Sequence, residues 1–149
     1  MDPIARLQAQ LLRRGETVAC AESLTGGSLG AALSSLGGAS GFFRGGVISY
    51  ATEVKRSLLG VTAPRVVSAQ CATQMADGVR SLLDATWGVS TTGVAGPEPQ
   101  DDQPVGTVFV AISGPRPSVR EFGFDGDRDG VRRAAVAAAI DLLLAALDD

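Results

Sequence analysis

Histidine is absent from the 149 residues of this sequence, and that absence excludes several kinds of active site at once. Ser-His-Asp and Cys-His arrangements both need an imidazole as general base, and most zinc sites use at least one histidine ligand. A hydroxyl nucleophile in this chain therefore needs a different proton acceptor. The remaining choices are a carboxylate, a neutral lysine or a phenolate.

Lysine and tyrosine are nearly absent, with one residue of each, Lys55 and Tyr50, against twelve arginines. A GC-rich genome, which disfavours lysine codons, would explain this ratio without any function. The alternative is that Lys55 does something that arginine cannot do. Lysine loses its proton when it is desolvated, whereas arginine stays charged.

Cysteine is scarce too, with Cys20 in a predicted strand and Cys71 in a predicted helix. Two isolated cysteines without metal-ligand spacing indicate buried thiols in a reducing cytoplasm and no bound metal. The net charge of −3 argues against a broad nucleic-acid-binding face. No apolar run reaches membrane length, and the first residues do not resemble a signal peptide. We therefore expect a cytoplasmic protein with no nucleic-acid partner and no membrane contact.

The composition is that of a soluble globular protein, with 45% hydrophobic and 19% charged residues. Helical and strand patterns alternate along the chain. This alternation predicts one α/β domain over residues 1–149, in three layers, with a mixed β-sheet flanked by helices. The predicted helices are Ile4–Arg14, Leu24–Leu36, Glu53–Leu59, Ser68–Leu83 and Arg128–Leu147, and the predicted strands are Thr17–Ala21, Arg44–Ala51, Val89–Val94, Val105–Ile112 and Ser118–Phe124.

The segment Val18–Leu29 predicts a buried strand that turns directly into a helix, with Ser23 as the N-cap. Gly26 and Gly27 lie in the predicted first turn, where each costs roughly 1 kcal/mol relative to alanine. One explanation is that bare backbone N–H groups there face an anion or an oxyanion. The other explanation is close helix packing, which is the more common one for this motif taken by itself.

Ser23 and Lys55 both lie where a predicted strand is followed by a helix, and 31 residues separate them. Ligands of α/β proteins bind at such strand ends. One crossover unit has about this length, so one sheet edge could bring the two side chains together. Serine–lysine pairs are a known variant of the catalytic triad. The lysine pKa would then have to fall from about 10.4 toward roughly 7–8.

Two further features fit either a ligand site or a purely structural role. Gly45 and Gly46 weaken the second strand, which indicates a bulge or the close approach of a ligand. Arg128, Arg132 and Arg133 cluster near the predicted start of the last helix. They either form ion pairs with neighbouring aspartates on a solvated face or clamp a phosphate.

Four motifs follow one another along the chain, namely Ala21–Gly27, Phe43–Lys55, Thr92–Pro97 with Pro104–Val108, and Gly126–Arg128 with Arg132. Together they resemble the CinA C-terminal domain family, the nicotinamide mononucleotide (NMN) deamidases. The resemblance extends from about Leu7 to Leu144 and is far more specific than Ser-x-x-Gly-Gly alone. Some members of this bacterial family carry an additional N-terminal domain, and the present chain resembles the stand-alone form.

The resemblance implies an amidohydrolase of pyridine nucleotide salvage, which converts NMN to nicotinate mononucleotide and ammonia without a metal or an organic cofactor. Residue by residue, Ser23 falls on the nucleophile of the family, Lys55 on its general base and Tyr50 on its active-site tyrosine. The residues expected to bind substrate are Thr25, Gly26, Gly27, Arg44, Gly46, Thr92, Gly93, Gly96, Arg128 and Arg132.

Within that set, the backbone N–H groups around Thr25, Gly26 and Gly27 are expected to stabilise the oxyanion, each donor contributing roughly 3–4 kcal/mol in comparable sites. Arg128 and Arg132 are expected to hold the 5′-phosphate, with Arg44 as a further candidate, while Thr92, Gly93 and Gly96 are expected to line the pocket.

The chain departs from the family pattern at two places. Leu24 stands where members often have cysteine, a position that should tolerate the change. After Pro97 the family usually continues with Asp-Gly-Gly, whereas this chain has Glu98–Asp102. Because proline and acidic residues replace flexible glycines there, we expect altered ligand access or a changed substrate preference.

Two other functions are compatible with the sequence. One is a nucleotide-binding module that has lost turnover through its altered loop. The other is a partner-binding domain with a role in competence or DNA damage. Intact Ser23, Tyr50 and Lys55 favour the amidohydrolase. The resemblance by itself also implies a homodimer.

Overall fold

A five-stranded mixed β-sheet forms the centre of the protein, in the strand order β2-β1-β3-β4-β5. The computed structural model describes residues 2–148. In chain order the elements are α1 (Pro3–Arg14), β1 (Val18–Glu22), α2 (Ser28–Leu33), a 3₁₀ turn (Ala39–Gly41), β2 (Phe43–Ile48), α3 (Thr52–Leu59), α4 (Ala69–Leu82), β3 (Trp87–Gly93), β4 (Thr107–Ser113), β5 (Ser118–Gly123) and α5 (Arg128–Asp148).

The central strand β1 pairs in parallel with β2 on one side and with β3 on the other. β4 and β5 extend the sheet beyond β3 in antiparallel pairs. The carboxyl ends of β1, β2 and β3 therefore meet at one edge of the sheet, which is where open α/β sheets bind their ligands. This arrangement confirms the predicted fold class.

Helices cover both faces of the sheet, so the domain has three layers. Alternate residues of a strand point to opposite faces, and β1 shows this clearly. Val18 and Cys20 join the core formed with α1, α2 and α5, whereas Ala19 and Ala21 join the core formed with α3 and α4. All five residues of β1 are buried; the apolar sequence predicted this for Val18–Ala21, and Glu22 is buried as well.

The chain after β1 differs from the predicted helix Leu24–Leu36. Residues 23–27 form a turn, and the helix that follows is the short α2. Gly27 occupies the N-cap position with φ of 107°, a left-handed conformation that favours glycine. The prediction that Ser23 caps a helix is therefore wrong, because the glycine pair turns the chain before the helix begins.

The remaining predicted elements all exist, and their ends shift by only a few residues. The second strand has a bulge directly before its glycine pair, since the pairing register passes from Val18 opposite Phe43 to Ala19 opposite Gly45 and leaves Arg44 unpaired with β1. A Cβ atom added at Gly46 would lie 2.5 Å from Sγ of Cys20. The close approach that Gly46 permits is thus that of the neighbouring strand.

Among residues 2–148, no helix combines the length and apolar character needed to cross a membrane.

Candidate active site

The end of β1 sends two polar side chains to opposite faces of the sheet. By the alternation that continues from Cys20 and Ala21, Glu22 points toward α2 and Ser23 toward the face of α3. The turn is tied to both neighbouring strands. The N–H of Ser23 donates to the carbonyl of Thr91 at 3.1 Å, and the N–H of Ser49 donates to the carbonyl of Glu22 at 2.7 Å.

Lys55 lies beside Ser23, so the structure brings together the two residues that the sequence predicted as a pair. Nζ of Lys55 is 2.9 Å from Oγ of Ser23. It also donates to the carbonyl oxygens of Ser49 at 2.7 Å and Tyr50 at 3.3 Å. The side chain of Lys55 extends from α3 into the core and only 2% of the residue is exposed.

Burial lowers the pKa of Lys55 from its ordinary value, because desolvation disfavours the charged ammonium form. The negative charge of Asp101 acts in the opposite direction, as would a Cys71 thiolate, but desolvation is the largest cause. Two backbone carbonyls occupy two of the positions around Nζ and leave the third directed at Ser23. A neutral amine satisfies this geometry by donating twice to the carbonyls and accepting the Ser23 proton.

Ser23 borders a cleft of about 110 Å³ at this edge of the sheet. Arg128, at the start of α5, spans the cleft and donates to Oη of Tyr50 at 2.7 Å and to the carbonyl of Gly96 at 2.6 Å. Tyr50 itself is 57% exposed. The lining residues are Ser23, Leu24, Tyr50, Gly93, Val94, Ala95, Gly96, Glu98, Gln100 and Arg128.

Of the three backbone donors that the sequence predicted for an oxyanion, those of Gly26 and Gly27 are bonded within the turn, whereas that of Thr25 has no acceptor in the described chain. The N–H of Gly26 donates to the carbonyl of Ser23 at 3.1 Å, and that of Gly27 donates to Oε1 of Glu22 at 3.1 Å. These two groups are therefore not available to a ligand. Within residues 2–148, the N–H groups of Leu24 and Thr25 have no hydrogen-bond acceptor.

The arginine cluster at the start of α5 divides into three separate roles. Only Arg128 reaches the cleft. Arg132 instead donates through Nε to the carbonyl of Leu24 at 3.0 Å and through Nη2 to that of Thr25 at 3.3 Å. Arg133 is exposed and pairs with Asp129 one helical turn away. The predicted placement of Arg132 in the cleft is thus not what the structure shows, since backbone carbonyls hold its guanidinium.

Three other predicted substrate-binding residues lie away from the cleft. Arg44 stands at the amino end of β2, opposite the site, and donates to the carbonyl of Leu83. Thr92 is buried and donates to the carbonyl of Val66 at 2.6 Å. The third is Gly46, in the β1–β2 contact described above. These residues lie outside the site because of the direction of their strand or the face to which their side chain points. A sequence motif reveals neither property.

Thr25 is buried as well, and its hydroxyl is bonded within the fold. It donates to Oε1 of Glu22 at 2.6 Å and lies 2.8 Å from Oγ1 of Thr91. Of the substrate-binding residues predicted from the sequence, Gly93, Gly96 and Arg128 line the cleft. The side chain of Thr25 is not available to a ligand.

The predicted site residues did not include Glu22, Ser49 or half of the residues that line the cleft, namely Leu24, Val94, Ala95, Glu98 and Gln100. Glu22 and Ser49 fix the turn and the lysine, respectively, and both lie at the ends of paired parallel strands. Their position at strand ends, next to the predicted nucleophile or the predicted base, was the sequence signal that could have identified them. Glu98 and Gln100 line the cleft from the loop that departs from the family pattern.

The loop that contains Glu98 and Gln100 is held by hydrogen bonds and an ion pair of its two aspartates. Oδ2 of Asp101 accepts the N–H groups of Val66 at 2.8 Å and Val67 at 3.1 Å. Asp101 and Asp102 have φ values of 53° and 59°, and aspartate tolerates this left-handed region better than most residues. Arg65 pairs with Asp102 at 3.3 Å. The loop is therefore a fixed wall of the cleft.

Comparisons with known proteins agree on one family. A sequence model described as "CinA C-terminal domain" matches residues 2–147. A CinA-like protein of Frankia casuarinae is 51% identical over 89% of this chain and 32% of its own length. One from Thermosynechococcus vestitus is 47% identical over 95% of this chain and 37% of its own length. The chain thus spans about a third of the length of these curated relatives.

Solved structures give the same result. A competence or damage-inducible protein from Enterobacter asburiae superposes with a TM-score of 0.93 at 33% identity, covering 97% of this chain and 96% of that one. The competence/damage inducible protein CihA from Agrobacterium tumefaciens superposes with a TM-score of 0.91 at 33% identity, covering 99% and 94% of the two chains.

Proposed function

The chain belongs to the CinA C-terminal domain family, and from that premise we propose that it is a nicotinamide-nucleotide amidase. It hydrolyses the carboxamide of NMN to give nicotinate mononucleotide and ammonia. One observation carries the proposal. In a chain without histidine, a buried lysine amine lies 2.9 Å from a serine hydroxyl at the edge of a cleft.

Acylation begins with Lys55 in its neutral form. Its amine takes the proton of Ser23 while Oγ forms a bond to the carboxamide carbon. As the tetrahedral intermediate collapses, the C–N bond breaks and Lys55 gives the proton to the departing nitrogen. Ammonia leaves, and the nicotinoyl group remains on Ser23 as an ester.

Deacylation repeats the steps with water as the nucleophile. Lys55 takes a proton from the water, whose oxygen attacks the ester carbon. The C–Oγ bond then breaks, Ser23 regains its proton from Lys55, and nicotinate mononucleotide is released. The carbonyls of Ser49 and Tyr50 keep Nζ in place throughout, because they accept the two N–H groups that the neutral amine retains.

Arg128 is the residue best placed to bind the 5′-phosphate. It is the cation among the lining residues, and both of its hydrogen bonds go to uncharged acceptors. A phosphate replaces those acceptors with charge-assisted, bidentate hydrogen bonds. The cleft of about 110 Å³ is smaller than a typical ligand pocket of about 300–1,000 Å³. Binding therefore includes a movement of Arg128 away from Tyr50.

The proposed setting is a reducing compartment, the cytoplasm. Cys20 and Cys71 are both buried free thiols, as expected where disulfides do not form. Burial raises the pKa of Cys71 to about 11, so this thiol stays protonated at neutral pH. The homodimer implied by the family stays a prediction, which sedimentation analysis of the purified chain would test.

The test is ammonia release from NMN by the purified chain and three variants. We expect turnover by the wild type and none by Ser23→Ala or Lys55→Arg, since arginine keeps the charge but does not accept a proton. Arg56→Lys, at the next position of α3, is the control for disturbance of the helix and should keep turnover. Wild-type activity should also rise with pH as Lys55 becomes neutral.

Two outcomes would change the proposal. Full turnover by Ser23→Ala would show that the nucleophile is another group. NMN binding without ammonia release by the wild type would favour the nucleotide-binding module. The loop Glu98–Asp102 would then be the first segment to test by substitution.

A further inference from the structure

The turn after β1 leaves two adjacent backbone N–H groups without acceptors, although the residues that carry them are buried. Leu24 is 3% exposed and Thr25 is fully buried, and within the described chain neither N–H group meets an acceptor. Leu24 also lines the cleft that Ser23 borders. Two backbone donors that no protein group accepts, directly after the serine and at the edge of this cleft, are thus placed for an acceptor that comes with the ligand.

The direction of each N–H group follows from the carbonyl in the same peptide unit. A trans peptide is planar, and its C=O and N–H groups point in opposite directions. Arg132 binds the carbonyl of Leu24 at 3.0 Å, so the N–H of Thr25 points away from that guanidinium. The carbonyl of Ser23 accepts the N–H of Gly26 at 3.1 Å, which directs the N–H of Leu24 away from the interior of the turn.

Glu22 holds the same turn from the other side. Glu22 is 2% exposed, and its carboxylate accepts five hydrogen bonds, one of them from Sγ of Cys20 at 3.9 Å. Oε1 accepts from the hydroxyl of Thr25 and from the N–H groups of Gly27 and Leu29, while Oε2 accepts from the N–H of Gly30. The carboxylate thus takes the donors that begin α2, so that helix end offers nothing to a ligand. The donors left for a ligand are those of Leu24 and Thr25.

We propose that the N–H groups of Leu24 and Thr25 form the oxyanion hole of this site, and that Arg132 and Glu22 are the positioning residues that aim them. The inference rests on the proposed function for its serine nucleophile. Oxyanion stabilisation requires donors that are already oriented when charge develops, and these two residues supply that orientation from opposite sides of the turn. Arg132 then acts on the rate of the chemical step and not on phosphate binding.

The test uses a fluorophosphonate, which needs an activated serine and an oxyanion hole but no phosphate site. Oγ of Ser23 forms a bond to phosphorus, the P–F bond breaks, fluoride leaves, and the serine proton passes to Lys55. We expect Arg132→Met to slow labelling of Ser23 by about 10–100-fold. Arg133→Met, an exposed position on the same helix, is the matched control and should label at the wild-type rate.

Steady-state kinetics with NMN separates positioning from phosphate binding. Arg132→Met should lower kcat by a similar factor and leave KM within about twofold of the wild type. A raised KM with unchanged labelling would show that Arg132 binds phosphate and would overturn the proposal. A wild type that labels at Ser23 but releases no ammonia would refute the amidase function alone.

Glu22→Gln keeps the proposal testable if Arg132→Met does not fold, which circular dichroism would reveal. The amide replaces one carboxylate oxygen, so an acceptor for Gly27, Leu29 or Gly30 is lost while the shape is kept. We expect labelling of Ser23 to slow by about tenfold. The control is Asp77→Asn, which changes a carboxylate bonded to Ser113 at the opposite end of the sheet. Equal labelling rates in Glu22→Gln and Asp77→Asn would overturn the proposed oxyanion hole. A wild type whose Ser23 is never labelled would overturn it as well.

Discussion

The two halves of the candidate active site differ in their access to water. On one side, Lys55 and Ser23 are 2% and 9% exposed and lie in contact at 2.9 Å. On the other side, Tyr50 is 57% exposed, and its hydroxyl is bonded to Arg128 at 2.7 Å. The two halves are in contact, since the backbone carbonyl of Tyr50 accepts a hydrogen bond from Nζ of Lys55.

This difference separates two tasks that need opposite conditions. Proton transfer between a serine and a lysine needs a low-dielectric environment, because burial is what lowers the pKa of Lys55. Capture and release of the proposed nucleotide substrate would need a cation whose partners exchange easily, and among residues 2–148 the acceptors of Arg128 are both uncharged. The segment from β2 to α3 contributes Tyr50 to the exposed half and Lys55 to the buried half, while Ser23 comes from the end of β1 and Arg128 from the start of α5.

The largest effect should come from the buried half. Lys55→Met keeps the length and the apolar stem but removes the amine, so we expect kcat to fall by about 10³–10⁴-fold. KM should change little, because Lys55 lies behind the nucleophile. The measurement is steady-state ammonia release from NMN. A variant that keeps a tenth of the wild-type kcat would contradict the assignment of Lys55 as general base.

The exposed half should respond in KM instead. Arg128→Gln removes the charge that faces the phosphate, and we expect KM for NMN to rise by about 10–100-fold, the equivalent of a charged hydrogen bond. The variant should retain the fluorophosphonate reactivity of Ser23, since the probe carries no 5′-phosphate. If the labelling rate of Ser23 and kcat fell together while KM stayed constant, Arg128 would act in the chemical step and not in substrate binding.

A smaller effect is expected for Tyr50→Phe, which removes only the hydroxyl that holds Arg128 over the cleft. Because substrate binding moves Arg128 away from this hydroxyl, the variant no longer loses a hydrogen bond of about 1 kcal/mol on binding, so KM should fall by less than about tenfold. The ring and the carbonyl that binds Lys55 both remain. A large fall in kcat would instead place the phenol in the chemical step.

The smallest effect concerns stability as a function of pH. The pKa of Lys55 is lowered in the folded state, so above that pKa the unfolded chain binds more protons than the folded one. Unfolding free energy should therefore increase with pH more steeply in the wild type than in Lys55→Met. Denaturant titrations of both proteins at increasing pH, up to the ordinary lysine pKa of about 10.4, would measure this, and the opposing effect of the buried thiols Cys20 and Cys71, whose pKa values are raised, is common to both proteins. Parallel curves would mean that the amine is not desolvated.

Much of the fold could be predicted because periodicity is a local property of sequence. The apolar run of β1 and the caps and spacing of α4 each specify an element from its own residues. The predicted helix beginning at Leu24 failed for a local reason too. The left-handed conformation of Gly27 turns the chain, and an adjacent glycine pair does not by itself reveal its φ values.

The absence of histidine and the single lysine determined, from the sequence alone, that any serine nucleophile here has an unusual base, and position at strand ends pointed to Ser23 and Lys55. The tertiary structure decided which arginine faces the cleft and which N–H groups remain free. Arg132 is 108 residues from the carbonyl of Leu24 that it binds. The partner of a polar group depends on which distant elements pack together, and no local pattern records that choice.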